Sequence, residues 1–182
     1  LTMSDQIAVL AEGRVEQVGP PQEIYSAPAT TYVAGFLGAA NIFDADVLEC
    51  ADGSAVCSAL STRLGAAVDT SCKPGPAAIV IRPERITLSD RDQPVPAGSN
   101  AVNGTVAQVV YHGASTQVHV EVGESTALIV DVPNQYGPQS VGYESGMAVT
   151  CVCSRDAVRV LTRSTAVLTT DPAAELEALS VS

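Results

Sequence analysis

Tryptophan is absent from this 182-residue chain, histidine occurs twice, and lysine occurs once, at Lys73. Each scarcity excludes something. Nucleic-acid backbones and anionic membranes are held by clustered Lys and Arg. Here nine scattered basic residues stand against 20 acidic ones, for a formal charge of −11. Single-strand binding by stacking also needs aromatic platforms, and the chain has only five Tyr and two Phe. An oligonucleotide-binding module is therefore disfavoured, and nucleic acid is not an expected partner.

The nucleotide-binding motifs are missing too. A phosphate-binding loop needs Lys followed by Ser or Thr, because the ammonium meets the phosphates while the hydroxyl holds magnesium. Lys73 is followed by Pro74. No two glycines are spaced G-x-G, so the dinucleotide fingerprint is absent, and no G-x-S-x-G elbow occurs. His112 and His119 have no acid or nucleophile at a recognised spacing. No apolar run approaches the roughly 20 residues that span a bilayer. The opening residues show no basic stretch followed by an apolar one, so no signal peptide is expected. Five cysteines, an odd number, do not read as a disulfide framework. Reduced, metal-free thiols in a cytosolic setting are expected, and Asn103-Gly104-Thr105 is then a chance match to a glycosylation sequon.

What is present is enough apolar residue, 46%, to build a core. Ile7–Leu10 and Arg14–Val18 read as short strands about Gly13. Pro20-Pro21 opens a short helix through Tyr25. Thr30 or Thr31 caps a second, with Tyr32, Val33, Phe36 and Leu37 on one face and Gly38 as C-cap. From Asn41 the pattern turns to strands: Phe43–Cys50, Ala55–Leu60, Ala77–Arg82, Arg85–Leu88, Thr105–Tyr111, Thr116–Val122, Thr126–Val132, Met147–Cys153 and Ala157–Leu161. Val118, Val120 and Val122 form an apolar stripe that reads as core, with a turn at Gly123-Glu124-Ser125. Loops are expected over Ser89–Asn100 and Pro133–Gly146, and a tail after residue 163 with a helix near Ala173–Leu179. Short strands between Gly-rich turns give a mainly β fold, a closed barrel of the OB type.

The ordered series Leu1–Leu10, Glu12–Gly19, Pro21–Tyr25, Pro28 and Phe36-Leu37-Gly38 resembles the end of an ABC importer ATPase. Ile81-Arg82-Pro83-Glu84 and Val110-Tyr111-His112-Gly113 are similar to the TOBE regulatory barrel of such importers, most of all the spermidine/putrescine type. The resemblance implies three segments: residues 1–40 as the end of the ATPase domain, 41–163 as the TOBE barrel, and 164–182 as a tail. It implies a regulatory and dimerisation part of a subunit at the inner face of the cell membrane. Its partners would be a second copy, membrane-spanning permease subunits and a solute-binding protein. The parent would use Mg-ATP. The phosphate-binding loop, signature motif, magnesium-binding acid and switch histidine would lie ahead of Leu1, so this segment carries no catalytic, cofactor or metal residue.

Arg82, Glu84, Tyr111 and His112 are the candidate inter-domain or inter-subunit contacts. For Arg82 and Glu84 the plainer reading is a turn with a local ion pair, worth about 0–1 kcal/mol if exposed. Cys151 and Cys153 share one strand face with Val149 and read as buried apolar residues. A small-oxyanion or solute-sensing barrel is the alternative function. A homodimer is also expected because Ile7, Val9, Leu10, Ile24, Tyr25, Tyr32, Val33, Phe36 and Leu37 would otherwise leave apolar surface wet. The missing nucleotide motifs generate the first prediction. Titration calorimetry with Mg-ATP gives no saturable heat, and micromolar binding would contradict this reading.

Overall fold

The computed structural model describes residues 4–68, 72–91, 93–123, 126–134 and 142–161. The turn at residues 124–125, half of the 133–146 loop and the tail with its helix lie outside them. Two compact units divide the chain, one running to Gly38 and the other from Ala39 to Leu161. Among the described residues no helix is long and apolar enough to cross a membrane.

In the first unit β1 (Ile7–Ala11) and β2 (Arg14–Gly19) form an antiparallel hairpin. Glu12 and Gly13 make its turn, both at positive φ. Helix α1 (Pro21–Ser26) starts on proline, whose missing N–H is no loss in a first helical turn. Helix α2 (Thr31–Phe36) is capped by Thr30, whose Oγ1 accepts from the Val33 amide at 3.3 Å. Val9, Ile24 and Val33 bury one another, with Ile7, Tyr32 and Leu37 packed around them. The expectation that this whole apolar set would lie wet is thus corrected: a hairpin and two helix turns cover their own core. Only part of the set, Leu10 and Phe36, remains exposed.

Among the described residues the second unit holds ten strands: β3 (Asn41–Ala51), β4 (Ser54–Ala59), β5 (Thr62–Ala67), β6 (Gly75–Ile81), β7 (Thr87–Asp90), β8 (Ser99–Tyr111), β9 (Ser115–Val122), β10 (Thr126–Pro133), β11 (Ala148–Ser154) and β12 (Val158–Leu161). They make a closed barrel in the order β12-β5-β4-β3-β6 and a five-stranded sheet in the order β10-β9-β8-β11-β7. The mainly β, OB-like barrel is therefore present, with a second five-stranded sheet beside it.

This arrangement is an internal repeat. Four strands, a 3-10 turn and a fifth strand occur twice: β3 to β6, Pro83–Arg85, β7; then β8 to β11, Arg155–Ala157, β12. Each long first strand carries a bulge at the same place, Leu48 in β3 and Ala107 in β8. The final strands are exchanged. β7 leaves the first repeat to pair with β11, while β12 leaves the second to pair with β6 and touch β5. β6 sits between β3 and β12, and Ala78, Ile79, Val80 and Ile81 are all buried, as an unbroken apolar strand requires. The alternation of β9 is also as expected: Val118, Val120 and Val122 are buried while Glu121 is exposed.

Three expectations change. β5 falls in a stretch not read as a strand. β8 begins at Ser99, so the 89–100 loop is shorter than expected. The cysteines are not all free: Cys50 and Cys72 are joined by a disulfide, with Cα atoms 5.9 Å apart. The reason is register. Val47 faces Gly75 in the last β3–β6 pair, so three residues after Val47 and three before Gly75 the antiparallel segments bring Cys50 to Cys72. Cys57, Cys151 and Cys153 remain free and buried.

Two asparagines join the repeats. Asn41, at the start of β3, accepts from the Ile129 amide through Oδ1 and donates Nδ2–H to the Ile129 carbonyl, both at 2.7 Å. Asn100, near the start of β8, does the same to Gly65, both at 2.8 Å. Gly65 is the fourth residue of β5 and Ile129 the fourth of β10. Each side-chain amide imitates a strand backbone on an otherwise bare edge. Truncation leaves a half-buried peptide unit without its partner, so Asn41→Ala and Asn100→Ala each lower stability by about 1 kcal/mol, measured by urea unfolding. Gly104→Ala costs a similar amount or more, about 1–3 kcal/mol for overpacking, because an added Cβ would lie 2.5 Å from the Glu121 carbonyl oxygen.

Candidate functional site

The places where the repeats meet are the most constrained part of the second unit. The Pro83–Arg85 turn packs on β10, and the Arg155–Ala157 turn packs on β5. Each turn thus lies on the third strand of the other repeat, beside the asparagine-held residue. At the second place the Arg155 stem covers Gly65 so closely that a Cβ there would sit 2.8 Å from Arg155 Cδ. A side chain at position 65 would have to push the exposed Arg155 stem aside.

The two turns are joined by one ion pair. Arg85 Nη2 donates to Asp156 Oδ2 at 2.7 Å. Both side chains are largely exposed, 49% and 72%, so the pair positions more than it stabilises. The Ser154 hydroxyl, and then Arg85, hold the Asp156 carboxyl below its usual range.

Of the sequence candidates, Arg82 is buried at the entry to the first turn and donates from Nη1 to the Ala39 carbonyl at 3.3 Å. An exposed local ion pair is therefore not its setting; the guanidinium reaches back to the first residue of the unit. Glu84 is exposed within the turn. Tyr111 and His112 lie elsewhere, at the end of β8 and in the turn to β9, where the His112 amide donates to the Ser115 carbonyl. Tyr111 is 51% exposed. Sequence reasoning missed Asn41, Asn100, Gly65 and Arg155. A search for internal repeats would have aligned the two asparagines.

Each Asn amide already gives one N–H and one oxygen lone pair to a backbone partner, and among the described residues no group of three or more His, Cys, Asp or Glu is placed to hold a metal. The thiols are sheltered. Burial, and then the neighbouring Cys153, push Cys151 up to about 12. Burial raises Cys153 as well, and burial alone raises Cys57.

The TOBE domain family matches residues 79–161. The chain is 35% identical over 169 residues to the spermidine/putrescine import ATP-binding protein PotA 1 of Pseudomonas aeruginosa, covering 88% of this chain and 42% of that protein. It is 38% identical over 136 residues to PotA of Thermobifida fusca, covering 71% and 34%. It is 35% identical over 133 residues to the Fe(3+) ions import ATP-binding protein FbpC of Brucella abortus, covering 72% and 35%. The chain thus spans little more than a third of the length of the curated relatives it matches. In fold it is similar to the cytoplasmic molybdate-binding protein ModG, with a TM-score of 0.57 at 17% identity, over 67% of this chain and 95% of that one.

The buried thiols give a pH prediction. Cys151 in the unfolded chain titrates near 9.0 and in the folded chain near 12. Its contribution to stability is complete below pH 9 and is lost as pH rises from 9 towards 12, because the unfolded state loses its proton first. Chemical-denaturation midpoints fall across that window, and Cys151→Ala flattens the fall.

Proposed function

We propose that this chain, whose residues 79–161 match the TOBE domain family and whose curated relatives are import ATP-binding proteins, serves as the regulatory and dimerisation part of such a subunit rather than as a catalyst. The observation that carries this reading is the extent of the match. Relatives align over 88% of the chain, and the 38 residues of the first unit exceed what is left unmatched. Both units therefore belong to the family arrangement. The first would be the end of the ATPase domain. Its hairpin shows an apolar outer side, with Leu10, Val15 and Val18 all more than half exposed, suited to lie against the ATPase body.

The second unit supplies stiffness. Its exchanged strands and paired asparagines make a body that moves as one piece, which suits a part that holds two subunits together while ATPase halves open and close. Permease subunits and a solute-binding protein are partners of the whole assembly in this reading, Mg-ATP is used outside this segment, and the place of work is the cytoplasmic face of the membrane. The solute stays open in the proposal. Relatives named for iron(III) and for polyamines match at nearly equal identity, so this segment is not where solutes are told apart. A small-oxyanion sensor takes second place.

Two measurements test the reading. Light scattering after size exclusion gives about twice 18.6 kDa; a mass near 18.6 kDa overturns the dimerisation role. A chimera carrying this chain in place of the matching segment of the Thermobifida fusca protein retains Mg-ATP hydrolysis coupled to uptake in membrane vesicles. A chimera that hydrolyses ATP at the same rate with and without solute overturns the regulatory role.

A further inference from the structure

The Cys50–Cys72 disulfide breaks the symmetry of an otherwise duplicated unit. Cys50 stands nine residues after Asn41, and the residue nine after Asn100 is Val109. Only the first repeat can be cross-linked at this place. The bond is not needed to set the register, since β3 already pairs with β6 from Asn41 to Val47 and with β4 from Asp46 to Ala51. What it adds is closure of a loop that contains β4 and β5. Beyond its ladder with β4, β5 is held by a bridge from Ala67 to Arg159 of β12, by Asn100 on Gly65 and by the Arg155–Ala157 turn packed on it. The closed loop therefore bears on the Gly65 side of the seam and not on the Ile129 side.

Chemistry confines any thiol exchange to this pair. Both Cys50 and Cys72 are half-buried at the rim of the core, within reach of a small reagent. Cys57, Cys151 and Cys153 are buried and protonated, and a protonated, enclosed thiol neither attacks nor is attacked.

We propose that Cys50 and Cys72 are a reversible redox latch on the first barrel, closed by low-molecular-weight disulfides and opened by low-molecular-weight thiols. Closing proceeds through a mixed disulfide. One cysteine thiolate attacks the reagent's S–S bond and releases one small thiol. The second cysteine then attacks the mixed disulfide and releases the other. The two cysteines give up two electrons and two protons, and the reagent becomes two thiols. Opening is the reverse. The latch rests on the geometry of the pair and not on the transport reading, so either can fail without the other.

The folded chain is equilibrated in glutathione buffers from fully oxidised to fully reduced, quenched by alkylation and weighed. Cys50 and Cys72 change state together, and the other three cysteines stay unlabelled until the chain is unfolded. A bond that never forms in oxidised buffer overturns the latch. So does one that resists reduced glutathione until the chain unfolds, since that is a permanent staple. Amide hydrogen exchange then reads the consequence. On reduction the Gly65 amide, bonded to Asn100 Oδ1 at 2.8 Å, exchanges about tenfold faster. The Ile129 amide, bonded to Asn41 Oδ1 at 2.7 Å and outside the closed loop, keeps its rate. Equal changes at both amides, or none at either, defeat the proposal. Cys50→Ser behaves like the reduced chain in every buffer; if that variant does not fold, the wild-type comparison decides alone.

Discussion

The exchange of β7 and β12 is the constraint from which the rest of the second unit follows. The first repeat supplies four strands of the barrel and the second supplies the strand between β5 and β6. The second repeat supplies four strands of the other sheet and the first supplies the strand beside β11. Neither layer is complete alone, so the apolar cores are continuous: Leu88, Cys151, Ile79 and Val158 belong to one buried cluster. The exchange also dictates where the 3-10 turns lie. A chain leaving β6 for the other sheet must cross β10, and one leaving β11 must cross β5. Folding such a unit requires contacts between residues far apart in sequence, as Asn41 and Ile129 are, and high contact order slows folding.

The same exchange explains what the sequence could and could not convey. Strands whose side chains alternate, such as Ser115–Val122, declare themselves because one face is buried whatever the topology. β5, with Gly65-Ala66-Ala67, has weak strand propensity. It is a strand because β4 pairs with one edge while Asn100 and β12 engage the other, and all of that is tertiary. The repeat was hidden because it is one of backbone: only scattered positions, among them the two asparagines, keep their residue type. The disulfide was hidden for a related reason. Counting cysteines says nothing of register, and register alone brings Cys50 opposite Cys72. The resemblance of Ile81-Arg82-Pro83-Glu84 to the TOBE pattern was legible because a proline ending a buried strand has few alternatives. That Arg82 would be buried and turned towards Ala39 was not.

The chemistry of the unit fits a mechanical role. Polar groups at the seams are used internally: two asparagine amides on backbone, a buried guanidinium on a carbonyl, and an ion pair between the two turns. The side chains that carry most reactivity elsewhere, the thiols, are enclosed and protonated or already bonded to each other.

Magnitudes decide which link would carry a displacement from one repeat to the other. The Arg85–Asp156 pair is the visible bridge between the two turns, but both charges are well solvated and such pairs contribute about 0–1 kcal/mol. Breaking it returns both groups to water at little cost. The asparagine contacts behave differently. Parting Asn100 from Gly65 leaves the half-buried N–H and C=O of Gly65 without their partner and strands a buried amide, which alone costs about 1–3 kcal/mol when unpaired. A repeat that shifts must therefore either take its asparagine-held partner along or stay where it is. The amide on Gly65, and its counterpart on Ile129, are the links that make two repeats one body. The disulfide, lying in the loop that presents Gly65, bears on one of them only.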